Sequence, residues 1–123
     1  QVPSLAVSLA FDHVTDRHFY ETAAKVIRLC LEEELHGCLP PLTLLNVNVP
    51  NLELGALKGA KLTEIGFRRY SEEIHARLDA RNREYFWIAG IYQGFSQNPE
   101  SDCQAVSEGF VSITPQFLVD GAR

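Results

Sequence analysis

Val2-Pro-Ser-Leu-Ala-Val-Ser-Leu-Ala-Phe11 is a nearly continuous apolar run bounded by Asp12 and His13, the pattern of a strand buried on both faces. From Thr15 to His36 the period turns helical. Phe19, Ala23, Val26, Ile27, Cys30 and Leu31 fall on one stripe; Thr15 or Asp16 is placed to cap its start, and Gly37 to take the left-handed position after its end. Pro40 and Pro41 forbid continuation. In Leu42-Thr-Leu-Leu-Asn-Val-Asn-Val49, Leu45, Val47 and Val49 alternate with Asn46 and Asn48 until Pro50 ends the run. Strand, helix, strand is a βαβ unit, whose right-handed crossover makes the two strands parallel. The fold class is α/β.

Beyond this unit, Lys58 to Ile65 reads as a further short strand closed by Gly66. In the stretch Phe67 to Tyr92, Ile74, Ala76, Leu78 and Ala80 alternate with His75, Arg77, Asp79 and Arg81, a strand period. After the turn-forming Asp79-Ala-Arg-Asn82, the run Tyr85-Phe-Trp-Ile88 is placed to pair back as a hairpin arm. A hairpin so rich in aromatics leaves a large apolar face uncovered. Phe67, Arg68, Tyr70, Ile74, Leu78, Tyr85, Phe86 and Trp87 are therefore expected at a contact with another subunit. Gly94 to Ser101 reads as a polar loop, Asp102 as the cap of a short turn through Glu108, and Gly109 as its end. Phe110 to Thr114 is the last strand, stopped by Pro115.

The chain has 123 residues, enough for one domain, and its 46% apolar and 22% charged content is an ordinary globular mix. With 11 basic against 16 acidic side chains the net charge is −5, so the chain lacks the positive field that draws nucleic acid or an anionic membrane. No apolar stretch approaches the length of a membrane span. Three cysteines make no disulfide framework, so the expected setting is reducing and cytoplasmic. A parallel sheet needs several strands with both faces covered, which one long helix and few strands do not supply. With no methionine, and Gln1 leading straight into a strand, the chain is expected to be a piece of a longer product.

Few residues suggest chemistry. Asp12, His13, Asp16 and His18 lie where the first strand gives way to its helix, the place where α/β sheets hold ligands. Their donors suit a divalent ion, but their spacing matches no tight site, and helix capping is the simpler use. Cys30, His36 and Cys38 make an incomplete zinc set, and Cys30 on the apolar stripe is more economically core. Glu32, Glu33 and Glu34 diverge around their helix. Arg68, Arg69, Arg81 and Arg83 have the guanidinium forks that match phosphate, although solubility and subunit pairing are the commoner uses of arm residues. Asn46 and Asn48 share one side of their strand and are read as structural amides. No phosphate-cradling glycine loop or nucleophile elbow is present.

Several segments resemble one family: Val2-Pro-Ser-Leu-Ala-Val-Ser8, Leu45-Asn-Val-Asn-Val-Pro50, Lys58-Gly59 leading to Thr63, and Tyr85-Phe-Trp-Ile-Ala-Gly90. The most specific is Ser101-Asp-Cys-Gln-Ala-Val-Ser-Glu-Gly-Phe-Val-Ser-Ile-Thr-Pro115. In one order they resemble the C-terminal half of the SurE, or stationary-phase survival, family. The resemblance implies part of a Rossmann-type sheet with a projecting hairpin for oligomerisation. By it, residues 1–66 hold the βαβ unit and following strand, 67–92 the arm, and 93–123 a loop and the final strand. It also implies a 5′-nucleotidase that acts on nucleoside monophosphates, assembles as a homodimer or tetramer, and uses a divalent metal such as Mg or Mn. The family's ligands are paired aspartates near its own N-terminus, with a serine and an asparagine further on, and none of those positions exists here. No catalytic, cofactor or metal residue therefore carries over. Asp102 resembles the family's aspartate before its final strand. The isolated segment is expected to be inactive, and the competing reading is a non-catalytic oligomerisation or protein-interaction module.

Overall fold

The structure, a computed structural model, describes residues 4–11, 17–88 and 90–117, the side chain of His36 excepted. The expected β-α-β start is present. Strand β1 (Ser4–Ala10) leads to helix α1 (Tyr20–Glu32) and then to strand β2 (Thr43–Pro50), and β1 and β2 pair in parallel with Val7 opposite Val47. Thr15 and Asp16, expected as caps, lie outside the described residues. At the start of α1 the Asn51 side chain takes part in capping from a distance: its Oδ1 accepts from the Phe19 N–H at 2.9 Å and its Nδ2 donates to the Arg17 carbonyl at 2.8 Å. After α1 the left-handed residue is Glu34 (φ 50°) and not Gly37, which sits inside a 3₁₀ turn, Leu35–Cys38.

Strand β3 (Ala60–Leu62) follows, and the chain then leaves the sheet. Strand β4 (Arg68–Tyr70) pairs antiparallel with β7 (Tyr92–Phe95) as the root of an arm whose outer part is the hairpin of β5 (Ile74–Leu78) and β6 (Glu84–Ile88). The polar loop expected from Gly94 thus starts later, because β7 runs through it. Between Arg68↔Phe95 and Tyr70↔Tyr92 the β7 side carries one extra residue, a bulge in which Gly94 adopts φ 99°. The turn between β5 and β6 is as the sequence suggests: Asp79 Oδ1 accepts from the Arg81 and Arg83 N–H groups at 2.8 and 2.9 Å, and Oδ2 from Arg83 Nε at 2.8 Å.

These bonds, that of the Arg83 N–H foremost, hold the Asp79 carboxyl below its ordinary value of 3.8. A depressed carboxyl stabilises the folded turn above the ordinary value and ceases to do so as pH falls through the lowered one. Amide exchange at Arg81 and Arg83 is therefore expected to quicken below about pH 4, and two-dimensional NMR across pH 2 to 6 would read it. Equal protection of both amides throughout that range would remove Asp79 from control of the turn.

Helix α2 (Asp102–Ser107) returns the chain to the sheet and strand β8 (Val111–Phe117) completes it. The cap of α2 is Ser101, one residue before the expected Asp102; its Oγ accepts from the Gln104 N–H at 3.2 Å. The strand order is β1-β2-β8-β3, with β8 antiparallel to β2 and parallel to β3, so the sheet is mixed. Pro115 does not stop β8. The Val111 N–H and the Ile113 carbonyl both face β3, so the nitrogen of Pro115, two residues on, points to the same side, beyond the end of β3 at Leu62. A proline costs no ladder bond there.

One face of the sheet carries Leu45, Val47, Val49 and Val111, all under 5% exposed, packed under Ala23, Val26 and Cys30 of α1. Of the expected helical stripe Ile27 is half-buried and Leu31 exposed. The opposite face carries Asn46, Asn48, Ser112 and Thr114, and α2 packs on this side over β8 and β2 without covering β1. The expectation that the first strand is buried on both faces is corrected accordingly: Ala6 and Ser8 are exposed. Toward the β3 edge of the sheet Thr63 and Thr114 share a buried hydroxyl bond of 2.8 Å. Thr114→Val leaves the Thr63 hydroxyl buried and unpaired, an expected loss of about 1–3 kcal/mol. Adding Thr63→Val is expected to restore much of it, because both partners are then apolar. Urea melts of the full-length protein with each single and the double variant give the comparison; strictly additive losses would show that the pair does not act as a bond.

Candidate functional site

An open cleft of about 810 Å³ lies at the C-terminal ends of β1 and β2, where α/β sheets hold ligands. Three elements build it. The sheet supplies Ser8 and Asn48, α2 supplies Cys103 and Ser107, and the root of the arm supplies Arg68 and Tyr92. Asn48 is tied across the sheet, donating to Ser112 Oγ at 3.3 Å.

Asp102 fixes the relation of α2 to the arm. Its Oδ1 accepts from the Gly66 N–H at 2.8 Å and from its neighbour Cys103 N–H at 2.7 Å. The contact needs glycine: a Cβ on Gly66 would lie 2.8 Å from that oxygen and 3.0 Å from Cys103 Sγ. Burial pushes the Cys103 thiol above 9.0, only partly countered by Arg68, so at neutral pH it is not a thiolate nucleophile. Burial also raises Cys30, which is core.

The other sequence candidates do not converge. Asp12, His13 and Asp16 lie outside the described residues. The ring of His18 packs at a tilt between Phe11 and Tyr20, centroids 4.4 and 5.6 Å away, and its buried Nδ1 has no partner among the described residues. Cys38 is exposed, apart from the buried Cys30. Glu32 binds Arg28 on the solvated side of α1 at 2.6 Å. Arg83 is committed to Asp79, and of the four arm arginines only Arg68 lines the cleft. Ile74, Leu78, Tyr85, Phe86 and Trp87 are exposed on β5 and β6, and Phe67 beside β4. Asn46 shares the face of Asn48.

Among the described residues no three of His, Cys, Asp and Glu come together, and those lining the cleft include neither carboxylate nor imidazole. A guanidinium beside neutral amide and hydroxyl groups does not fit a divalent cation. Tyr92 was not singled out by sequence, although the signal is there: extending the Ile74↔Ile88 pairing outward by four residues on each strand sets Tyr70 opposite Tyr92.

A mixed α/β sheet with an open cleft at its strand ends and a hairpin arm defines the class of protein. The family model for survival protein SurE matches residues 1–72, and the chain belongs to that family. It is 42% identical over 116 residues to a protein named 5′-nucleotidase SurE from Moorella thermoacetica, covering 94% of this chain and 44% of the relative. It is likewise 42% identical over 118 residues to 5′-nucleotidase SurE from Marinobacter nauticus, covering 95% of this chain and 44% of that protein. The crystal structure of SurE protein from Aquifex aeolicus superposes with a TM-score of 0.72 at 33% identity, over 96% of this chain and 46% of that one. The chain thus spans a little under half the length of these relatives. No described helix is long and apolar enough to cross a membrane.

Proposed function

We propose that the protein to which this chain belongs is a cytoplasmic 5′-nucleotidase, releasing phosphate from nucleoside monophosphates. The observation that carries this is the 42% identity, over 94% of the chain, to a protein bearing that name. The strand-end cleft supports it. Hydrolysis of a phosphomonoester requires charge on the phosphoryl oxygens to be offset. The divalent ion expected for that task, Mg or Mn, is held by residues that this cleft does not supply. The chain holds no ligand for that ion in this reading: residues 1–66 contribute sheet and core, 67–92 the arm that joins subunits into homodimers or tetramers, and 93–123 a loop and the final strand.

The test is phosphate release from adenosine monophosphate with added manganese or magnesium. The full-length protein is expected to be active and the isolated 123 residues inactive. Activity in the isolated segment would overturn this division of labour. A second reading, a non-catalytic interaction module, draws on the exposed apolar arm, where Ile74, Phe86 and Ile88 are 66%, 62% and 82% exposed. It prevails if the full-length protein associates but releases no phosphate.

A further inference from the structure

The cleft has one permanent cation and, among the described residues lining it, no carboxylate to neutralise it. Why that cation points there follows from strand geometry. Arg68 and Tyr70 are two residues apart on β4 and so share a face, and Tyr92 lies directly opposite Tyr70. The two phenol rings are 5.7 Å apart and tilted by 57°. A guanidinium is charged at any physiological pH, and the neighbouring Cys103 and Tyr70 side chains push the Arg68 pKa further up. The same wall thus joins a charged fork to aromatic rings.

That pairing matches a ligand in which a phosphate is joined to a flat ring. Guanidinium N–H groups fork onto phosphate oxygens, and a phenol face stacks on any base. The volume of about 810 Å³ falls in the range of sites for small ligands. We infer that Arg68 and Tyr92, buttressed by Tyr70, form the nucleotide-recognising wall of the cleft: Arg68 takes the phosphate and Tyr92 stacks the base. The assignment rests on the nucleotidase reading above and names the residues that make that reading selective. The arm is then both subunit contact and part of the substrate site, with its root facing the cleft and its hairpin projecting beyond.

The test uses the full-length protein with adenosine monophosphate and, as a phosphomonoester without a base, glycerol phosphate. Arg68→Gln is expected to raise KM for adenosine monophosphate about tenfold or more, with Arg68→Lys recovering part of the loss. Tyr92→Ala is expected to lower the ratio of kcat/KM for adenosine monophosphate over that for glycerol phosphate about tenfold, and Tyr92→Phe to keep it. Calorimetric binding of adenosine monophosphate is measured beside turnover, and thermal melting confirms that each variant is folded. If Tyr92→Ala melts early, Tyr92→Leu takes its place in the comparison. If the wild type turns over the nucleotide and the variants match it in KM, ratio and binding, the wall is overturned while the nucleotidase reading stands. If the wild type binds without turnover, the nucleotidase reading falls and weakened binding by the variants still supports the wall. If the wild type neither binds nor turns over, both fall.

Discussion

Val47→Asp is expected to leave no folded protein. Val47 is fully buried at the middle of β2, between β1 and β8 and in the cluster formed with Ala23, Val26 and Cys30 of α1. A carboxylate there has no described cation in the cluster to pair with. Burying it unpaired costs at least several kcal/mol, against a total stability of about 5–15 kcal/mol for a domain. Val47→Ala is the graded control, losing two methyl groups and about 2 kcal/mol. Soluble yield and urea melts of the full-length protein read both. A Val47→Asp protein that melts within 1 kcal/mol of wild type, on the scale set by these losses, would show that the cluster is not the core of the fold.

The second large effect concerns assembly. Phe86→Glu combined with Ile88→Glu is expected to convert the proposed oligomer to monomer, with melting of the sheet little changed. Both side chains lie on one face of β6, opposite Ala76 and Ile74, and both are largely exposed in the chain. A pair of carboxylates on an apolar contact costs about 2–4 kcal/mol per site, enough to raise a dissociation constant by a thousandfold or more. Light scattering at micromolar concentration decides it. An unchanged mass would exclude the arm from the interface, and early melting would assign the two residues to the fold of the chain itself.

The elements legible in the residues were those set by local periodicity. Val47 and Val49 alternating with Asn46 and Asn48 announce a strand, and Asp79 to Asn82 announce the hairpin turn, because pleat and turn chemistry act over a few positions. The errors occur where a distant segment overrides the local one. Pro115 reads as a strand end, yet β3 stops at Leu62 and leaves its nitrogen on an open edge. At the start of α1 a distant residue takes part too: Asn51, just past β2, reaches across to serve Phe19. Gly94 reads as the start of a polar loop, yet in the structure its positive φ serves a bulge once β4 lies beside it. The cleft was legible only in part, with Arg68 noticed as a phosphate-matching residue but not separated from Arg69, Arg81 and Arg83.

By itself the order of residues determined the βαβ start, the hairpin arm and the family to which the chain belongs. These follow from the side-chain period of two or 3.6 and from short specific segments such as Ser101 to Pro115. Only the tertiary structure decided that β8 enters between β2 and β3, that Asp102 ties α2 to the arm through Gly66, and that one arginine of four meets two tyrosines at the strand ends. Each of those facts joins residues more than twenty positions apart, and which distant segments meet is settled by the burial of whole faces rather than by any local preference.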